Sequence, residues 1–438
     1  MTRRALAVVL TLLMLAATSA VQPSLGAGTS PHGRLSAGSA TSDIVVNSAD
    51  DTHDGICDAT HCSLRDALGE SSSIAGPNTI TFAISMADPS YDAVTGVWTL
   101  QTDSGYQVPD ETTVDGSVPT GPSSSRPAIE IDATIEAQYQ SGLRLGADVT
   151  LRGLIVNGFG YGIWIDYAGV TIEGCYIGTD PTGYVAKPNS HDGILVAQGA
   201  VGAVIQDNLI SGNRNGGIRM WGDPTTGHVI RRNLIGCDVD GAAGVPNGNY
   251  GLKVHSGAHD NTIGPGNVIA FNGTYGVWVT EYLTRGNRIT RNSIHSNGFW
   301  GIRLTAGGND ELARPTAFLA SRTEVVGTAC ADCVIQVFSD VWNQGELLEG
   351  TVIANPSGDW VFSKPGGLRG LYVTATASDA DGNTSEFSEP IRLPPPATAT
   401  ATRTATLIAT HTATPTATRT APAEWLSIYL PIICRESR

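Results

Sequence analysis

Between residues 162 and 304 the chain returns six times to a glycine followed by an apolar, a variable and an apolar residue. The variable positions are Trp164, Leu195, Arg219, Lys253, Trp278 and Arg303, and two residues further on stand Asp166, Ala197, Trp221, His255, Thr280 and Thr305. If the apolar pair faces a core in an extended strand, both series face solvent. Indole faces stack on sugar rings, and guanidinium forks grip carboxylates through paired hydrogen bonds. Trp164, Arg219, Trp221, Lys253, His255, Trp278 and Arg303 therefore form a candidate glycan-binding strip suited to an acidic polysaccharide. Exposed strand positions also favour large aromatic and long basic residues without any ligand.

The same residues could support bond breaking. A uronide lyase needs a base for the proton beside the carboxylate, and often a Ca2+ to acidify it. Lys253 or Arg219 could be that base, with Asp166, Asp238 and Asp240 as ligands. A hydrolase needs two carboxylates across the scissile bond, drawn here from Asp166, Asp192, Glu281 and Asp310. His191 beside Asp192 reads as a polar loop rather than an acid–base pair. The catalytic candidates are thus Lys253, Arg219 and Asp166. Asp180, in TDPTG, and Asp238 and Asp240, in CDVDG, are the metal candidates. Ca2+ is the one cofactor they point to, and ordinary turn formation competes with it.

The elements that must position these side chains follow from a repeat. Leu154, Cys175, Asn208, Asn233, Asn267 and Asn292 occupy equivalent places, separated by 21, 33, 25, 34 and 25 residues. Long and short turns alternate, and the long ones are themselves alike: IGTDPTGYVAKPNSHDG from Ile177 and IGCDVDGAAGVPNGNYG from Ile235. Apolar residues alternate with polar ones inside each turn, which is the period of a half-buried strand. Short strands joined this briefly cannot reverse at every turn and hold register. A coil in which each strand pairs in parallel with its copy satisfies the pattern, at roughly 4.8 Å of rise. Stacked asparagines can bond one another and the backbone, at bends where asparagine is expected to take the left-handed region. The expected fold class is all-β: a right-handed parallel β-helix over 43–314 with an N-terminal cap, then a small Ig-like β-sandwich over 315–393.

Arg3 and Arg4 precede an apolar run from Ala5 to Ala17 and small residues, so 1–27 reads as a signal peptide and 28–42 as a linker. The run is too short for a transmembrane span. Export permits disulfides, and Cys57 with Cys62 and Cys330 with Cys333 form two close pairs. Cys175 and Cys237 read as buried thiols. Residues 394–423 are rich in Thr, Ala and Pro and read as a disordered spacer, followed by a short apolar tail, 424–438, containing Cys434. A net charge of −15 argues against nucleic acid as a partner.

CSLRDA at Cys62–Ala67 resembles the CSLREA segment that opens many bacterial parallel β-helix surface proteins, with Asp66 in the place of Glu. IGTDPTG and GNVIAFNG are similar to a repeat common in secreted bacterial right-handed β-helix proteins of the pectate-lyase-like superfamily. That superfamily carries pectate lyases and polygalacturonases alongside binding and structural proteins. CVIQVFSD and GNTSEFS resemble bacterial Ig-like modules, implying a spacer or adhesion role. The tail resembles YLP-type tails, implying attachment to the cell envelope. Taken together, the expectation is a secreted or cell-surface protein that binds polysaccharide or adheres through the strip. The alternative is a lyase or hydrolase acting on an acidic polysaccharide such as pectate.

Overall fold

The computed structural model describes residues 42–117, 126–134 and 140–395. The expected signal peptide, all but the last residue of the expected linker, all but the first two residues of the expected Thr/Pro spacer, and the tail with Cys434 lie outside the described residues.

Three sheets of nine, nine and eight strands wrap one elongated core. The first runs from Ser42–Val46 to Arg288–Ile289, and the second ends on Ser293–His295. The third runs from Tyr106–Val108 to Trp300–Thr305. Each strand pairs in parallel with its copy one coil later, as Thr171–Glu173 does with Val204–Gln206. Among the described residues, Tyr91–Asp92 pairs antiparallel with Val97–Thr102 in the second sheet, an early hairpin. Strand order therefore follows coil order, and residues 20 to 37 apart, such as Ser141 and Tyr161 or Tyr106 and Leu143, become direct neighbours. Ile163, Ile194, Ile218, Leu252 and Val277 stack inside the third sheet, all fully buried.

The asparagines form a continuous ladder. Asn208 Nδ2 donates to Asn233 Oδ1 at 3.0 Å, Asn233 to Asn267 at 3.0 Å and Asn267 to Asn292 at 2.9 Å. Each Oδ1 also accepts a backbone N–H from the coil before it. The left-handed residue at this bend is the one before each asparagine: Asp207, Arg232, Gly266 and Arg291. The asparagine thus serves as the rung, and its neighbour makes the turn. A second ladder runs through Asn189, Asn213, Asn247, Asn272 and Asn297, and a third joins Asn261 to Asn287. Gly178 and Gly236 sit at φ +92° and +89° against the second ladder. A Cβ there would lie 2.4 Å and 2.5 Å from the Asn213 and Asn272 Oδ1 atoms, so IG recurs at these bends because no side chain fits.

Both ends are closed, as an open solenoid requires. At the start, the helix Leu64–Ser73 lays Leu64, Ala67 and Leu68 on the first coils, with Ser63 as its N-cap. The Cys57–Cys62 disulfide holds the loop before it. At the other end, seven antiparallel strands form a three-stranded and a four-stranded sheet between Thr316 and Arg392, around a core including Val337, Trp360 and Val373. Cys330–Cys333 closes a short turn there. This sandwich is sealed onto the last coil. Phe338 and Phe387 join the solenoid core, Ile294 and Gly345 exchange backbone hydrogen bonds, and Gln344 Oε1 receives the last bond of the second asparagine ladder.

Candidate functional site

The third sheet presents its outward residues in register. Arg144, Trp164, Leu195, Arg219, Lys253, Trp278 and Arg303 pair in succession, one rung apart. Trp221 pairs with His255 in the adjoining row. Being in file is not the same as being available, however. Leu195 is 2% exposed and Ala197 3%, so the middle of both rows is covered. Trp221 is 40% exposed, and Trp164, Arg219, Lys253 and Trp278 are half-buried.

Arg219 turns back onto the sheet. Its NH2 group donates to the Tyr161 hydroxyl at 2.8 Å, and its Nε lies 3.1 Å from Asp192 Oδ2 without hydrogen-bond alignment. Asp192 is fully buried, and its Oδ1 accepts from the Tyr250 hydroxyl, the Asn215 amide and the Gly216 N–H. Burial pushes the Asp192 carboxyl up, and the Arg219 charge opposes that shift. Burial works against the Arg219 charge, but Asp192 and the two tyrosines hold its pKa above the usual value. This buried pair organises the strip from beneath.

Lys253 is placed differently. Its Nζ lies 4.0 Å from the centre of the Trp278 ring and 5.9 Å from that of Tyr250, and among the described residues no carboxylate lies within ion-pair reach. Burial lowers its pKa, Glu281 opposes that, and Arg219 reinforces it. Beside it, burial and then the Lys253 charge bring His255 down to about 4, so its ring is neutral near pH 7. His255 Nδ1 lies 2.9 Å from Ser256 Oγ and 3.7 Å from Glu281 Oε1, while Nε2 is buried without a partner. The fold thus gathers Lys253, His255, Glu281, Trp278, Trp221 and Tyr250.

Other candidates are engaged elsewhere. Asp166 accepts from Trp164 Nε1 at 2.6 Å and pairs with Arg144 at 2.5 Å, which fixes Trp164 and neutralises the carboxylate. Arg303 pairs with Glu386 of the sandwich at 2.9 Å. Asp310 accepts from Asn383 at the same junction. His191 packs on Tyr161. In the two long turns, Asp180 accepts from Thr182 and two backbone N–H groups, Asp238 from the Ala242 N–H, and Asp240 from the Tyr184 hydroxyl. These contacts close one turn and stack it on the next. Among the described residues the three do not converge as a metal-ligand group.

Tyr161, Tyr250, Tyr275 and Trp300 belong to the strip and were missed as site residues. Each directly precedes the glycine of its triplet, a signal present in the sequence. Tyr275 packs 5.3 Å from Trp278, and Tyr250 lies 6.3 Å from it.

The class defined here is a parallel β-helix with a cationic–aromatic row along one sheet. Residues 112–299 match a family model described as periplasmic copper-binding protein (NosD). No curated protein matches the chain. Among solved structures, a pectate lyase, Pel9A, is 15% identical over 61% of this chain and 77% of its own, with a TM-score of 0.35. An alginate lyase from Paenibacillus sp. str. FPU-7 is 16% identical over 61% and 99%, with a TM-score of 0.28. The fold rests on strand register, independently of these likenesses.

Copper favours thiolate, thioether and imidazole donors. Within 112–299, burial pushes the Cys175 and Cys237 thiols up to about 12, and Met220 is sealed in the core. His228 spends both ring nitrogens on backbone partners. These four residues are not set up as copper donors, and among the described residues within 112–299 the remaining histidines are not gathered with two other His, Cys, Asp or Glu donors.

Proposed function

We propose that this chain is a secreted or cell-surface protein that binds an acidic polysaccharide along the third sheet, in the row from Trp164 to Trp278. The observation carrying this reading is Lys253: an ammonium without a carboxylate partner among the described residues, seated on Trp278 and flanked by Tyr250. A polyuronate supplies the missing carboxylate together with sugar faces for the indoles. Asp166 and Asp192 already have arginine partners, so neither is a free carboxylate for hydrolysis. The N-terminal apolar run and the two disulfides support export.

A second reading, elimination on the same polymer, is favoured by one feature. The lowered Lys253 pKa enlarges the neutral amine fraction, and a neutral amine can take a proton. Incubation with polygalacturonate and alginate, followed by ultraviolet absorbance and by retention in affinity gels, separates the two. Retention without new absorbance supports binding, and a rising absorbance establishes a lyase. Absence of both rejects both.

A further inference from the structure

The N-terminal cap contains a cluster remote from the strip. His61 Nε2 lies 3.1 Å from Asp50 Oδ1. If Nε2 carries the proton it donates to Asp50, Nδ1 presents a bare lone pair. That Nδ1 is buried with no hydrogen-bond partner, yet it faces Asp54 Oδ2 at 3.5 Å and Asp66 Oδ2 at 3.7 Å. A lone pair against two carboxylates is repulsive unless a proton or a metal ion lies between them. The hydrogen bond to Asp50 and the charges of Asp50, Asp54 and Asp66 raise the His61 pKa, and the same three-sided anionic setting suits a cation at Nδ1.

The surroundings hold all three donors in place. Asp66 has no exposed side-chain surface. Its Oδ1 is held by His53 Nδ1 at 2.7 Å and the Gly55 N–H at 3.0 Å, and its Oδ2 accepts from Ser63 Oγ at 2.8 Å. Asp54 Oδ1 accepts the Ile56 N–H at 2.9 Å, leaving Oδ2 turned toward His61. The Cys57–Cys62 disulfide fixes the loop on which His61 stands. The donor atoms of Asp54, His61 and Asp66 all lie within 4.8 Å of one another. A tetrahedral ion with bonds near 2.0–2.1 Å separates its ligands by roughly 3.3 Å, close to the 3.5 Å and 3.7 Å from His61 Nδ1 to the two carboxylate oxygens.

We infer that the cap binds one divalent transition ion of the zinc type through His61 Nδ1, Asp54 Oδ2 and Asp66 Oδ2, with water as the fourth ligand. An imidazole nitrogen selects such an ion over Ca2+, which takes oxygen donors. The carboxylate at His61 Nε2 is the outer partner that metal-bound imidazoles characteristically have. The ion would tie the disulfide loop to the N-terminus of the cap helix.

The test uses the full secreted chain, stripped with a chelator. Co2+ is followed by visible absorption and Zn2+ by calorimetry, with Ca2+ titrated in parallel. One equivalent of Zn2+ should bind, Co2+ should develop tetrahedral bands, and Asp54→Asn and His61→Gln should each weaken binding at least about tenfold, or about 1.4 kcal/mol. Asp54 is an exposed residue, so its variant decides the matter if His61→Gln misfolds. The proposal is overturned if Zn2+ does not bind, if Asp54→Asn leaves affinity and stoichiometry unchanged, or if Ca2+ takes the site equally well.

Discussion

Lys253 and Arg219 look interchangeable as cations in a row, yet their surroundings assign them different work. Truncating Lys253 to Ala removes an ammonium that touches only rings, so the fold should be unaffected. Polyuronate binding should fall about tenfold, the loss of one good contact, as read by affinity electrophoresis. Arg219→Ala instead strands Asp192 in the interior, and breaking one side of a buried pair costs about 3–5 kcal/mol. Chemical denaturation should show that loss, and Asp192→Asn combined with Arg219→Met should recover much of it. His228 offers a separate check. Ala203 N–H donates to its Nδ1 and burial holds its pKa down to about 4, against 6.5 unfolded. The unfolded chain therefore binds the extra proton between those values. Stability should fall as pH drops from 6.5 to 4, by up to about 3 kcal/mol, and His228→Gln should flatten that part of the profile.

Among the elements, the ladders are the most sensitive. Asn233 is bonded to Asn208, Asn267 and the Ile205 carbonyl. Asn233→Ala leaves several buried polar groups unpaired at about 1–3 kcal/mol each, and a mid-ladder loss of at least about 3 kcal/mol is expected by equilibrium denaturation. The first ladder was legible because its asparagines recur at fixed places before an apolar triplet. The second was hidden in the glycine-rich turns, where asparagine also reads as a simple turn former. The sequence likewise put the middle residue of every triplet outside, which fails at Leu195. Periodicity tells which side of a strand a residue takes but not what its neighbours lay over it.

For the whole molecule, the solenoid is stable only with both ends covered. A chain ending at residue 314 would bare Ile294, Ile302 and Leu304 and lose Phe338, Phe387 and Gln344 from the last coil. It should elute as aggregate in size-exclusion chromatography, whereas the chain ending at 394 should not. With a net charge of −15, the molecule as a whole repels a polyanion. Binding must come from the local row, and raising the salt from about 0.1 M to 1 M, where the Debye length shrinks from about 10 Å to 3 Å, should weaken it markedly.

The repeat by itself determined the coil, because apolar alternation, bend asparagines and side-chain-free glycines are local demands written at each turn. It also placed the cationic and aromatic residues in one file. Only the tertiary structure decided which of them are free. Stacking in register brings Tyr161 to Arg219 and Asp192 to Tyr250 across 58 residues, and these contacts bury one cation while leaving the next on its ring. Separation along the chain carries no such information, since what matters is the side chain lying one coil above or below.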